Sequence, residues 1–443
     1  MSGRPLAILG ARLLDPASGL DVRGGLLVVD GRIADLGPHL GRDGLPEGAE
    51  VLEAAGLCLA PGLVDLRVMV GEPGAEHKER MDSAVAAAAA GGVTAFAMRP
   101  DTDPALDDPA MLEFVARRAR KLRSVKVHPW AALTRGCRGE RLAEMGLLRE
   151  AGAVGFTDGA RAVADARLMY RALAYATALD APVVQHPEEP RLAEGGVMNE
   201  GWTALRLGLP GIPACAEVVM IERDLRLAEA TGGRIHFAGI STAESVAVIR
   251  RAKARGVRVT CDVTPHHLLL TEREVEGYRT YAKVSPPLRG EADREALVAG
   301  LADGTVDAVT SDHTPQDQDS KRLPFEQAAF GVVGVETLLA AGLELVHAGR
   351  IGLLRLLEAV STMPARLLGV EGGRLARGAP ADLVLFDPEV RWTVTEAGLH
   401  SLAKNTPFEG RTFRGRVVRT LVDGRTVFRL ATTAEDAATG AAL

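Results

Sequence analysis

Between residues 63 and 313 the chain repeats one unit eight times: a short apolar run, then a stretch with helical spacing. The runs are LVDLRVMV (63–70), VTAFAM (93–98), VKVHPWAAL (125–133), AVGFTD (153–158), PVVQHP (182–187), RIHFAGI (234–240), VRVTCDV (257–263) and DAVTSDH (307–313). Amphipathic segments such as DPAMLEFVARRARKL and DARLMYRALAYATALD lie between them. Strands this apolar need cover on both faces, which a parallel sheet wrapped by helices supplies. Eight such units predict an α/β fold, a (β/α)8 TIM barrel over 56–371, with a doubly wound α/β sheet as the alternative.

The two ends are of another kind. LAILGARLLD and GGLLVVDGRIADLG, with Asp30-Gly31 as a hairpin turn, open the chain; GAPADLVLFDP, RWTVT and GRVVRTLVDGRTVFRL, with Asp423-Gly424, close it. A small β-domain built from 1–55 and 372–430 is the economical reading, with 431–443 as a flexible tail. A chain of 443 residues that is 47% hydrophobic can bury a large core. Its net charge of −6 argues against nucleic acid as a partner. No 18-residue apolar stretch is present to cross a membrane, and no cysteine pair has C-x-x-C spacing. Cys58, Cys137, Cys215 and Cys261 read as buried thiols in a reducing cytoplasm.

In a barrel of this kind, chemistry sits at the C-terminal ends of the strands. The polar residues collect there: Arg67 on the first run, Asp158 on the fourth, His186 on the fifth, Asp312 and His313 on the eighth, with Asp101 just beyond the second. Arg67 and Met69 stand two apart near the end of the first run and are expected to point to one side. EHKER (76–80) reads as the solvated first turn of a helix, and Met198–Gly201 as a loop above the mouth. No Walker sequence or well-placed G-x-G-x-x-G is found, so a nucleotide cofactor has no support.

These motifs, in order, resemble bacterial dihydroorotases, of the cyclic amidohydrolase branch of metal-dependent barrel hydrolases. VDLRVMVGEPGAEHKE is similar to the family's opening D-x-H-x-H-x-R-E-P-G, and GGVTAFAMRPDTDPALD to its G-G-x-T…P-N-T-N-P segment. GAVGFTDGA, PVVQHPEE, GVMNEG, RIHFAGIST, VTPHHLLLTE, SPPLRGEADREAL, TSDHTPQ, FGVVGVET and NTPFEG follow. The resemblance implies one or two zinc ions, a pair of first-strand histidines as ligands, and interconversion of N-carbamoyl-L-aspartate and dihydroorotate. It implies that Pro265-His266-His267 is peripheral.

This sequence departs from the family pattern where the chemistry lies. The two histidine positions are Arg67 and Met69, and the sixth-strand ligand position is Gly239. Of an adjacent acidic pair on the fourth strand only Asp158 remains, before Gly159. His186 and Asp312, the latter matching the family's general base, are retained. The substrate-clamp arginine is Gly71, the asparagine beside it Asp101, the asparagine before P-P-L Ser285, and a final histidine Gln316. Asp101 is expected to repel an anionic substrate.

A guanidinium has no lone pair to give, and a thioether is a poor zinc ligand, so zinc is not expected at Arg67 and Met69. Carboxylates left without a dication need another cation. Arg67 is expected to take that place by forking onto Asp312 or Asp158. Two functions stay open. The chain is a non-catalytic dihydroorotase-like protein, homo-oligomeric, without a cofactor, and a structural partner of aspartate transcarbamoylase, as the resemblance implies. Alternatively it is an active dihydroorotase or related cyclic-amide hydrolase using a reduced zinc site on His186, Asp158 and Asp312.

Overall fold

The structure, a computed structural model, describes residues 4–431; the expected tail falls outside these except for Ala431. The first barrel strand, Leu63–Val68, pairs in parallel with Val93–Met98, and that with Lys126–Pro129. The third strand continues as Ala131–Ala132. It is followed by Phe156–Thr157, Val183–Gln185, Ile235–Phe237, Val259–Val263 and Ala308–Val309, all parallel. The ring closes where the Met69 amide donates to the His313 carbonyl at 2.8 Å.

Closure also explains a lone acid inside an apolar run. Asp65 is fully buried and accepts from Thr310 Oγ1 at 2.6 Å, so a side chain latches the first strand to the eighth. Val64, Leu66, Ala95, Ala97, Trp130 and Val184 fill the interior, where Trp130 Nε1 donates to the Leu66 carbonyl at 2.8 Å. A barrel interior packed this way is a core and not a pore.

The outer helices follow from local signals. In Pro109–Leu122, Asp108 accepts from the Ala110 amide and Pro109 occupies the first turn, where it lacks only an amide that would be unpaired anyway. Leu112, Val115 and Ala119, at helical spacing, face the core. The helix stops at Arg123, in the left-handed region at φ 49°.

The second layer is an eight-stranded sheet drawn from both chain ends. Its main path runs Arg425–Arg429, Thr412–Val422, Leu383–Thr393, Cys58–Pro61, Leu6–Asp15, Leu20–Val29, Arg32–Gly37. Cys58–Pro61 pairs with Leu383–Thr393, so the passage from sheet to barrel comes after Pro61 and not at 55/56. Lys126 pins sheet to barrel through Asp382 (2.8 Å) and Asp423 (2.7 Å).

Other expectations change. Cys215 is exposed, while the other three cysteines are buried. The helix after the first strand starts at Met81, so EHKER precedes it. Glu79 of that stretch is fully buried: it accepts from Ser401 Oγ and the Leu402 amide, and lies 3.5 Å from His313 Nε2. Met198–Asn199 is a short strand paired with Gly211–Ile212. No helix among the described residues is long and apolar enough to cross a membrane.

Candidate functional site

Arg67 leaves the end of the first strand and turns into the barrel mouth, where it is 5% exposed. Its Nε lies 3.0 Å from Asp312 Oδ1 and its Nη2 3.5 Å from His186 Nδ1. The first contact is an ion pair by distance only, because its direction does not make a hydrogen bond and Asp312 Oδ1 is left without a donor. Arg67 Nη1 has no acceptor. Asp312 sits at φ 46°, just past the eighth strand. Burial raises its carboxyl above the ordinary range, outweighing the downward pull of Arg67 and Arg99.

A guanidinium donor fixes the tautomer of His186. Since Nδ1 faces Arg67, it must accept, which puts the proton on Nε2 and directs it to Ser285 Oγ at 3.0 Å. Ser285 in turn reaches Glu188 Oε1 at 3.4 Å. Burial, reinforced by Arg67, holds His186 well below its usual pKa, so the ring is neutral.

The second cation of the mouth, Arg99, was not among the expected site residues. It is 4% exposed, pairs through Nε with Asp101 Oδ1 at 2.9 Å and through Nη2 with the other oxygen, and bonds Thr314 Oγ1 at 3.0 Å. Its Nη1 is 4.0 Å from Asp312. Asp101 is therefore neutralised by a partner two residues away, and burial notwithstanding, Arg99 keeps its carboxyl below the ordinary range. The expected repulsion of an anion by Asp101 does not hold. A strand-end arginine was the signal available, and it is the same signal that singled out Arg67.

Asp158 does not join this cluster. It accepts from the Thr134 amide at 2.8 Å and from Thr134 Oγ1, so Arg67 lies against Asp312 and His186 and not Asp158, and the expected fork onto one carboxylate is not formed. Burial raises Asp158 to about 6. Gln316 turns away, its side chain donating to the Phe330 carbonyl at 2.9 Å and its backbone amide to Asn405 Oδ1 at 3.2 Å. Met69 lies beyond the strand end and is half-buried. His266 and His267 are buried, His267 bonding Thr264 and the Pro286 carbonyl.

The glycines at altered positions are held by their neighbours. A Cβ on Gly159 (φ 68°) would collide with the Asp101 carboxylate, so an acid cannot follow Asp158 while Asp101 keeps this place. A Cβ on Gly71 would collide with the Ala75 carbonyl, and one on Gly239 (φ 67°) would lie 3.3 Å from Arg67 Nη1. Among the described residues no three His, Cys, Asp or Glu side chains are grouped to hold a metal ion. Two of the three residual donors face a guanidinium instead, and the third is spent on Thr134. The residues present do not fit a divalent cation.

Asp158 gives a prediction of its own. Its folded-state pKa of about 6 exceeds the ordinary carboxyl value of 3.8, so the fold holds a proton that the unfolded chain releases. That contribution is complete below the unfolded value and is lost as pH rises through about 6. Relative to wild type, Asp158→Asn is expected to gain stability as pH rises across this window and to level off above it. Urea midpoints at stepped pH measure the difference, and parallel profiles would refute it.

A barrel with a sheet from both chain ends, its polar strand termini gathered at one mouth, is an amidohydrolase architecture. The structure is similar to L-hydantoinase (dihydropyrimidinase) from Arthrobacter aurescens, at 25% identity and TM-score 0.85, covering 96% of this chain and 97% of that one. Dihydropyrimidinase from Brevibacillus agri shares the fold at 22% identity and TM-score 0.82, covering 96% and 95%. The Dihydro-orotase-like family profile matches residues 56–245. Dihydroorotase of Pelobacter propionicus is 46% identical over 424 residues, 96% of this chain and 99% of that protein. Dihydroorotase of Geotalea daltonii is 46% identical over 422 residues, covering 95% and 99%. The chain belongs to the dihydroorotase family.

Proposed function

We propose that this chain is a dihydroorotase-family protein of pyrimidine biosynthesis that does not hydrolyse cyclic amides through zinc and acts as a structural partner of aspartate transcarbamoylase. One observation carries the first half: Arg67 stands between His186 and Asp312, at a position to which the resemblance gives a metal ligand. Zinc catalysis needs about three protein donors and an open position for water. Here a fixed positive charge faces two of the donors, and a cation entering between them would meet it at close range in a poorly screened site. The partner rests on the family resemblance alone, and so does homo-oligomerisation.

The second reading is an active dihydroorotase. The names of relatives 46% identical along nearly the whole chain support it. It requires Arg67 to swing away and Asp158 to release Thr134 before a reduced site on His186, Asp158 and Asp312 can form.

One experiment separates the two. Protein purified with added zinc is analysed for metal content and for interconversion of N-carbamoyl-L-aspartate and dihydroorotate. The non-catalytic reading expects substoichiometric zinc and no turnover above buffer. Stoichiometric zinc with turnover overturns it and leaves the second. Co-elution with aspartate transcarbamoylase of the same organism on size exclusion tests the partner separately.

A further inference from the structure

Away from the barrel mouth, a cavity of about 400 Å³ opens between the end of the helix Pro109–Leu122 and the hairpin that joins Thr412–Val422 to Arg425–Arg429. Its wall includes Val125 and Val422, and its rim carries Arg120, Arg123, Ser124 and Arg425. The one acid lining it, Asp423, is already held by Lys126 at 2.7 Å. Arg120 has a single exposed partner, Glu113, at 3.5 Å. Arg123 and Arg425 have no carboxylate within salt-bridge distance among the described residues.

Cations in the last turn of a helix are ordinary, because they complement its free carbonyls. That accounts for Arg120 and for Lys121 beside it. It does not account for Arg425, which reaches the same cavity from the small sheet. Nor does it account for the sign of the site, since the whole chain carries a net charge of −6. Arginines from two elements lining one space of small-molecule size suit an anion with several oxygens, and phosphate matches the forked donors of a guanidinium best.

We propose that this cavity binds an oligophosphate chain, free or carried by a nucleotide. Calorimetric titration of the full chain at about 50 mM ionic strength, where surface charges are only partly screened, uses inorganic tripolyphosphate and ATP as probes. Both are expected to saturate a single site. The variant R123N/R425Q is expected to bind at least about tenfold more weakly, a difference of about 1.4 kcal/mol. Asparagine suits the left-handed backbone at Arg123, and R425Q alone serves if the double variant does not fold. A control, R167Q/R171Q on the exposed face of the helix Ala166–Ala178, removes the same charge and is expected to bind as wild type. Tighter binding of ATP assigns the base to the apolar wall; equal binding assigns the phosphates alone. Absence of saturation by either probe overturns the proposal, as does an equal loss in the control.

Discussion

Replacing Arg67 with alanine is expected to lower the unfolding free energy by about 3–5 kcal/mol, the usual cost of stripping one partner from a buried ion pair. EDTA is expected to leave the wild-type midpoint where it was. Arg67 sits 3.0 Å from Asp312, and both side chains are less than a tenth exposed. Without Arg67 the carboxylate keeps only Arg99, whose Nη1 is 4.0 Å away, so R67A/R99A should cost more than the sum of the single changes. A buried carboxylate can also escape by taking a proton. Asp312 already lies above its ordinary range, and losing Arg67 raises it further. A folded-state pKa above the unfolded one gives stability that is present in acid and lost as pH rises through it. The deficit of R67A should therefore widen from acid to neutral pH. Denaturant midpoints with and without EDTA measure both effects. A chelator as damaging as the substitution would mean that a metal, and not the arginine, holds the mouth together.

The sequence made the barrel legible because its strands are covered on both faces, and continuous apolar runs with one periodic change of spacing have few other uses. The first and eighth runs also carry a charge each at the same end, and in a closed barrel these two runs are neighbours, so the sequence alone suggests the pairing of Arg67 with Asp312. Glu79 is illegible in the sequence for the opposite reason. EHKER has the composition of a solvated face, and the groups that bury Glu79, Ser401 and Leu402, are more than 300 residues away in the chain. Local pattern cannot report a partner at that distance.

Asp101 failed differently. Its sign is plain in the sequence, but its environment is set by its neighbour Arg99, which neutralises it. Cys215 shows the limit of composition, because a thiol at the start of a helix looks the same in sequence whether its turn faces the core or water. The glycines carry the most instructive omission. Gly71, Gly159 and Gly239 read as lost functional groups, and in the structure each is the space that another group has taken. An absent side chain leaves no trace in a sequence of what fills its volume.

That exclusion makes positions 67 and 239 interdependent. A histidine placed at Gly239 alone would have its Cβ 3.3 Å from Arg67 Nη1, with the ring still to be accommodated. The single variant G239H is expected to be less stable than wild type and to take up no zinc. Removing the guanidinium opens the same volume, since the next neighbour of that Cβ is Pro286 at 3.6 Å. In R67H/M69H/G239H the three new imidazoles join His186 and Asp312, more than the four donors zinc needs. This triple variant is expected to bind one zinc per chain and to melt higher as zinc is added, by about 4 kcal/mol when zinc exceeds its dissociation constant about a thousandfold. Turnover of dihydroorotate is not expected to return with the metal. The clamp arginine cannot be rebuilt at Gly71 while Ala75 occupies its space, and Arg99 remains committed to Asp101. Metal analysis and zinc-dependent melting separate these steps. Zinc uptake by G239H alone, or none by the triple variant, would show that Arg67 is not what closes this barrel to a metal ion.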